Sequence, residues 1–517
     1  MKILVLGASG IIGQHMMLSK PEGLTAYFFR RKMDQLFGGV DITNPQALLS
    51  CLEALEPDAV VNLAGESGPD IVEREPATYK AVNVEAPRAI ARWCDAHQTH
   101  YVHVSSQAAL DPVNAYGKQK AKAEKEVAKF ENWTIARPTF VLGVRPLPHV
   151  GRPNPIEQML GGQRKQVNDR WFSPSFAWDV AAVLWKIAQD RPLRRVLNLG
   201  NPISTNRWKI ARSLGLDVEG VPHNSFKGIA PRPLDTSYGR NAFHRTNFWA
   251  GLDRCRKDFG NIRTGGSVEL DLSQRAKEIA LFLGINEDQA HSKLSRGFGA
   301  LHGEVAADFR RDNPQGDAEL LDWYRRTEAY IWELSAYHAD PGFNYSGMCQ
   351  GVAERLKAAG CHRVLCLGDG VGDLTLRLRR AGFEAVYHDL AGSRTAEFAQ
   401  MRARMYLDEA FEECMTSSWA PELPAGEFDA IISLDFLEHV TDVPAWTLAI
   451  GAGLKPGGLF CAQNAFGCGS GPDGSIPMHL ARNDRFEKDW DPHLASIGFV
   501  QESSNWYRWP AKAEAAG

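Results

Sequence analysis

Tyr116 and Lys120 stand four residues apart in AYGKQKAKAEKEV, so a helix there carries both on one face, where the ammonium stabilises a phenolate and lowers the tyrosine pKa. Ser106 closes the apolar run YVHVSS and offers a hydroxyl to a substrate oxygen. Together the three side chains are proton-transfer equipment for reducing a carbonyl. A Tyr-x-x-x-Lys pair by itself is a common helix-surface pattern. Its weight comes from what precedes it, a serine-tipped strand and, at the chain start, Gly7-x-x-Gly10-x-x-Gly13 directly after the apolar run KILVL. Glycines at such a strand-to-helix turn allow a tight turn, the approach of a pyrophosphate and close helix packing, while the helix N-terminus offers unpaired N–H groups to phosphate.

At the end of the next apolar run, where an acidic residue would hold the ribose hydroxyls of NAD, the sequence reads Phe29-Arg30-Arg31-Lys32. Guanidinium groups there suit a 2′-phosphate, which points to NADP(H). The alternative is a solvated strand end, with Asp34 or Asp41 serving the adenosine.

A second glycine turn occurs far downstream. Val364 to Leu367 lead into Gly368-Asp369-Gly370-Val371-Gly372, and about twenty residues on Asp389 ends the run AVYHDL, placed to accept both ribose hydroxyls of an adenosine-bearing cofactor. An NAD site would meet those two criteria as well. His439, beside Glu438 in the helix-like LEHV, reads as a packing or orienting residue. His479, in IPMHL after GCGSGPDGS, is a candidate general base, or else a loop histidine bonded to backbone. Tyr337 and Tyr345 either close over a cofactor or pack a helical segment onto a sheet.

The elements that must position these groups follow from periodicity. Up to about Asn206 short apolar runs alternate with amphipathic stretches (KILVLGA, AYFFRR, DAVVNLAG, YVHVSS, WTIARPTFVLG, RVLNLG), as in a parallel sheet with crossover helices. From about Ser273 to Leu356 apolar residues recur at three- and four-residue spacing, a helical pattern. A second strand series, RVLCLGDG, AVYHDL, FDAIISLD and GLFCAQN, follows. The predicted fold class is α/β with two Rossmann-like doubly wound sheets: residues 1–250, a mainly helical connector over 251–345, and residues 346–517.

With 517 residues, 44% apolar, 23% charged and a formal net charge of −4, the chain has material for at least two cores and no bias toward polyanions, so nucleic acid is not an expected partner. The nine cysteines include no C-x-x-C pair, and neither a disulfide framework nor a metal is expected. MKILVLGASG reads as a buried strand rather than a signal peptide, and no apolar run approaches the roughly 20 residues that span a bilayer. A cytoplasmic enzyme acting on a small molecule is expected.

The first half resembles the extended short-chain dehydrogenases/reductases, in the dTDP-4-dehydrorhamnose reductase-like branch. The motifs are GASGIIG, DITN at Asp41, PDAVVNLAG at Pro57 to Gly65, VNVEAP, SSQ, YGKQK, Arg137-Pro138, WFSPSFAWDVA and APRPLDTSYGRN. The resemblance implies Ser106, Tyr116 and Lys120 as the catalytic trio with Asn83 in a proton relay. It implies an NADP(H) site at Gly7, Gly10, Ile11, Ile12, Gly13, Arg30, Arg31, Asp41, Ile42, Leu63, Ala64 and Gly65, with Tyr116 and Lys120. Only nine residues separate Ser106 from Tyr116, a shorter loop than the family usually has beside its substrate pocket, and the branch also holds members that bind NADP(H) as a structural or regulatory module. Residues 345–517, through FDAIISLDFLEHVTD and LKPGGLF, resemble the class I methyltransferases that use S-adenosylmethionine (SAM). That implies SAM contacts from Gly368, Gly370, Gly372 and Asp389, with Asp435 bordering the methyl-transfer pocket. Cys366 stands where many members carry an acid, for which Asp369 or Asp373 would compensate. The implied whole is a bifunctional biosynthetic enzyme, a ketone reductase joined to a methyltransferase; the alternative is a methyltransferase with a non-catalytic NADP-binding module.

Overall fold

The computed structural model describes residues 1–34, 36–147, 150–169, 171–201, 203, 205–222, 246–263, 272–407, 410–467 and 478–510. The motif APRPLDTSYGRN and all but Gly467 of GCGSGPDGS lie outside them. The chain divides into two compact units, residues 1–266 with 280–290, and residues 267–279 with 291–517.

The first unit is built on a parallel sheet whose spatial order is Arg195–Leu199, Trp133–Pro138, His100–Val104, Ala59–Asn62, Lys2–Leu6, Thr25–Arg30, Gly38–Gly39. Numbered along the chain this is 7-6-5-4-1-2-3, so strand order reverses between Lys2–Leu6 and Ala59–Asn62, the point beyond whose carboxyl ends doubly wound sheets bind their ligands. The run KILVL becomes a central strand because Ile3 to Leu6 are all fully buried and must find apolar cover on both faces. Helix Ala115–Val127, which carries Tyr116 and Lys120, starts where Asn114 accepts a hydrogen bond from the Gly117 N–H at 2.8 Å.

In the second unit the order is Glu384–His388, Arg363–Leu367, Phe428–Leu434, Leu454–Gln463, Trp506–Arg508, Val500–Ser503. The first four strands are parallel; Trp506–Arg508 runs antiparallel between the two that precede it in sequence. The strand reversal here lies between Arg363–Leu367 and Phe428–Leu434, again beyond strands carrying a glycine turn. One core, around Trp446, Phe460 and Phe486, and another, around Leu356, Leu374 and Leu459, occupy its interior.

The stretch expected as a helical connector is helical but is not a separate body. Phe248–Arg263 belongs to the first unit, whereas Phe298–Asp312, Gly316–Arg326 and Ala329–Ala339 belong to the second. LEHV, read as helix-like, is a short 3-10 turn, Leu437–His439, because Asp435 before it adopts the left-handed region at φ +51°.

Candidate active sites

Gly7, Gly10 and Gly13 do three different things. A Cβ on Gly7, whose φ is +77°, would sit 2.5 Å from the Ala64 nitrogen, so this glycine lets the first turn meet the Leu63-Ala64-Gly65 turn of the neighbouring strand. A Cβ on Gly13 would lie 2.5 Å from Ala8 backbone, so that glycine lets helix Ile11–Leu18 pack down on the strand end. Gly10 caps that helix and a Cβ there would meet only the Gly7 carbonyl, at 3.5 Å, leaving the face open to a ligand. Ile11 and Ile12 form the first helical turn.

Across the strand reversal, Ser106 ends the strand His100–Val104 region and caps a short turn by accepting from the Ala108 N–H at 3.2 Å. Burial raises the Tyr116 hydroxyl, a hydrogen bond from Ser106 opposes it, and the Glu66 carboxylate raises it further. Lys120 is buried too, and desolvation brings its ammonium down to about 8 even though Glu124 favours the charge. Its Nζ lies 6.0 Å from the Tyr116 ring centroid and donates to the Val104 carbonyl at 3.4 Å. Asn83, in a π-helical turn, accepts from the Glu66 N–H at 2.9 Å and donates to Gln119 at 2.9 Å. A Cβ on Gly65 would stand 2.9 Å from Asn83 Oδ1 and 3.5 Å from Lys120 Nζ, so Gly65, Asn83 and Lys120 meet in one place. Glu124 holds the far side, accepting from Ser105 Oγ at 2.5 Å and from Arg137 Nε at 2.8 Å.

The cationic strand end differs from its expected form. Arg30 pairs with Asp34 at 2.8 Å and Arg31 with Asp41 at 2.9 Å, so neither guanidinium is unengaged. Thr43, by its hydroxyl, lowers the Asp41 carboxyl most, with its N–H and Arg31 adding to the effect, and Ile42 is buried beside it. Such exposed pairs are worth only about 0–1 kcal/mol, so a phosphate can take over the guanidiniums at small cost.

The second unit holds a cavity of about 360 Å³. Gly368, Gly370, Asp389, Asp435 and His479 all line it; Gly372 does not. Gly372 instead caps helix Asp373–Arg380, where a Cβ would fall 2.8 Å from the Phe411 ring. A Cβ on Gly368 would strike the Phe436 ring at 2.3 Å. Asp389 accepts from the Leu390 N–H at 2.7 Å and the Tyr387 hydroxyl at 3.2 Å, yet burial still pushes it up to about 6. A carboxylate so short of solvent gains from any hydroxyl donor that reaches it.

The two acids expected to compensate for Cys366 are placed differently: Asp369 lines the cavity together with Cys366, and Asp373 does not. Asp369 caps the following helix, accepting from Thr375 N–H and hydroxyl at 2.7 and 2.6 Å. Asp373 is fully buried and bound to Arg275, to Arg402 at 2.7 Å and to His338 at 2.7 Å. His479 is a weak base here: burial lowers it to about 4 while its Nδ1 bonds the Ala465 carbonyl at 3.2 Å. Tyr345 stacks on His338 at 3.6 Å between centroids, and both it and Tyr337 line the cavity.

Of the helical wall, sequence reasoning named Tyr337 and missed the other four residues. Tyr330, Glu333, Leu334, Tyr337 and His338 of Ala329–Ala339 all face the cavity. Their spacing, i, i+3, i+4, i+7, i+8, is one helix face and was a readable signal. Glu438 and His439 also line it. Glu66, a further miss, had no signal beyond its place after Gly65.

Comparison with known proteins agrees with this division. Residues 1–246 match the family described as RmlD substrate binding domain, and residues 320–487 match one described as methyltransferase domain. The chain is 31% identical over 286 residues to a "dTDP-4-dehydrorhamnose reductase" of Salmonella typhimurium, covering 47% of this chain and 91% of that protein. It is 24% identical over 271 residues to the "Probable dTDP-4,6-dihydroxy-2-methyloxan-3-one 4-ketoreductase" of Streptomyces antibioticus, covering 48% and 89%. It is also 24% identical over 266 residues to "Methionine adenosyltransferase 2 subunit beta" of Pongo abelii, covering 47% and 79%. With two strand reversals, two glycine turns and these matches, the chain belongs through its first half to the dTDP-4-dehydrorhamnose reductase-like branch of the extended short-chain dehydrogenases/reductases, fused to a class I methyltransferase domain.

Proposed function

We propose that this is a bifunctional biosynthetic enzyme that reduces a ketone with NADPH and methylates, from SAM, the same small molecule or a consecutive intermediate. The reductase domain would span residues 1–250 and the methyltransferase domain 346–517, the helices before 346 supplying a wall of the methyl-transfer cavity. The observation that carries the reductase half is the burial of Tyr116 and Lys120 against Ser106, beside the glycine turn. A lysine buried beside the tyrosine and brought down to about 8 is placed for proton transfer, whereas a helix-surface lysine would have no cause to be lowered. NADPH sits on Gly10 and the first turn of Ile11–Leu18, with the 2′-phosphate drawn to Arg30 and Arg31. For methyl transfer the protein chiefly aligns donor and acceptor, and Gly368, Gly370, Asp389 and Asp435 on one cavity provide the alignment.

A second reading makes the first unit a binding module without turnover. The likeness to a protein named as a subunit beta favours it, as does the short Ser106–Tyr116 segment. Mass spectrometry of candidate ketones incubated with NADPH and SAM, separately and together, tests both. Gains of about two and about fourteen mass units mark added H2 and CH2. NADPH consumption that Tyr116→Phe leaves at the wild-type rate would favour the module.

A further inference from the structure

Glu438, His439 and His479 place one carboxylate oxygen and two ring nitrogens within 4.8 Å of one another on the wall of the 360 Å³ cavity. Glu438 is 1% exposed; its Oε1 accepts from the Ala465 N–H at 2.8 Å, and its Oε2 has no hydrogen-bond partner among the described residues. An orphaned buried carboxylate oxygen is costly unless something of positive charge meets it. The imidazoles are set up for that. His479 Nδ1 lies 3.2 Å from the Ala465 carbonyl and His439 Nδ1 lies 3.3 Å from the Met478 carbonyl. A carbonyl only accepts, so the Nδ1 of His479 carries the proton and its Nε2 keeps its lone pair. The Tyr324 hydroxyl meets the same His439 Nδ1 at 3.0 Å and donates to the Met478 carbonyl at 3.3 Å, anchoring that edge of the ring. Backbone carbonyls that fix the tautomer while the other nitrogen stays open are the usual outer support of metal-binding histidines. The two rings stand 4.7 Å apart and perpendicular.

We infer that Glu438, His439 and His479 form a binding site for a divalent transition-metal cation on the wall of the methyl-transfer cavity. Two neutral imidazoles and one carboxylate favour Mn2+, Fe2+, Co2+ or Zn2+ over Mg2+ or Ca2+. Donors around such an ion stand about 3 Å apart, so the three side chains draw together by about an ångström or more on binding. Three protein donors leave coordination positions open, and because all three residues line the cavity, those positions face the space where a methyl acceptor must lie. The acceptor is therefore a molecule that presents an oxygen atom to the cation. This last step rests on the methyltransferase reading; the cation site itself does not.

The test is a Co2+ titration of the chelator-treated, tag-free full-length chain, read by visible absorption, with SAM affinity measured by calorimetry on the same samples. Expected is saturable binding of about one Co2+ per chain, weakened at least about 10-fold in both His479→Gln and Glu438→Gln, with SAM affinity within about 3-fold of wild type. Glu438→Gln keeps an oxygen for the Ala465 N–H and controls for folding. No saturable binding, or variants that bind Co2+ like wild type, overturns the site. Acetohydroxamate, an oxygen-donor probe, should change the Co2+ spectrum; an unchanged spectrum overturns the open face. Failure of wild type to bind SAM while Co2+ still binds would sink the cofactor reading and leave the cation site standing.

Discussion

Lys120 has two opposed effects. Its ordinary value is 10.5 and burial lowers it to about 8 in the folded chain. Below pH 8 both folded and unfolded chains hold the proton and the folded one bears the full cost of a buried charge. Between about 8 and 10.5 the unfolded chain holds more protons, so the contribution of this group to stability rises with pH. Reduction needs the charged form, and kcat/KM for the ketone should fall as pH rises through about 8. Lys120→Met should stabilise the first unit by about 1–2 kcal/mol in denaturant titrations while lowering reduction at least about 100-fold. A variant that is less stable would contradict the burial argument. Gly10 allows a cleaner separation of fold from ligand. Its φ of −73° suits any residue and a Cβ would meet only the Gly7 carbonyl at 3.5 Å. Gly10→Ala should leave stability within about 0.5 kcal/mol yet weaken NADPH binding at least about 10-fold, or 1.4 kcal/mol, by calorimetry. Unchanged affinity would move the pyrophosphate elsewhere. The shared helix face of Tyr116 and Lys120 and the glycine turns were legible because residue type and spacing encode local geometry; the pairing of Arg30 and Arg31 with acids was not, because side-chain partners across a loop leave no periodic trace.

At the level of elements, the buried ion cluster of the second unit ties four helices together. Asp373 of Asp373–Arg380 meets Arg275 of Leu272–Leu283, Arg402 of Arg394–Leu407 and His338 of Ala329–Ala339, and Glu278 joins Arg402 at 2.8 Å. Burial by itself would raise the Asp373 carboxyl, but Arg275 and Arg402, with His338, outweigh it and hold it well below the carboxylate range. Its stabilising effect is therefore complete above about pH 4 and disappears only as pH falls through that lower value. Asp373→Asn leaves two buried guanidiniums sharing the single carboxylate of Glu278 and should cost about 3–5 kcal/mol in denaturant titrations of the full chain. A loss under about 1 kcal/mol would mean that the cluster relaxes without penalty. The cluster positions the cavity wall, since His338 stacks on Tyr345 and both line the cavity. Helical spacing made Ala329–Ala339 recognisable as a helix, but not which face was its working face, because aromatic residues serve a core and a ligand wall equally well.

For the molecule as a whole, each candidate site draws its residues from one unit only. Tyr116→Phe should lower ketone reduction about 100-fold or more and leave SAM affinity within about 3-fold. Gly370→Arg, at φ +49° with a Cβ position 2.6 Å from Leu334, should abolish SAM binding and spare NADPH oxidation by the ketone. Both are read by calorimetry and NADPH absorbance; loss of both activities in either variant would overturn the independence. Among the described residues no helix is long and apolar enough to cross a membrane. The sequence by itself determined two α/β domains, the two glycine turns and the helix that carries Tyr116 and Lys120, because strand and helix periods and turn glycines are local properties of the chain. Only the tertiary structure decided that Gly372 supports a helix, that Asp369 caps a helix while lining the cavity and Asp373 is engaged in ion pairs, and that the expected connector walls the cavity. It alone brought Glu438 and His439 to His479. Those outcomes depend on which surfaces meet across dozens of intervening residues, and burial, not spacing, then sets what each side chain can do.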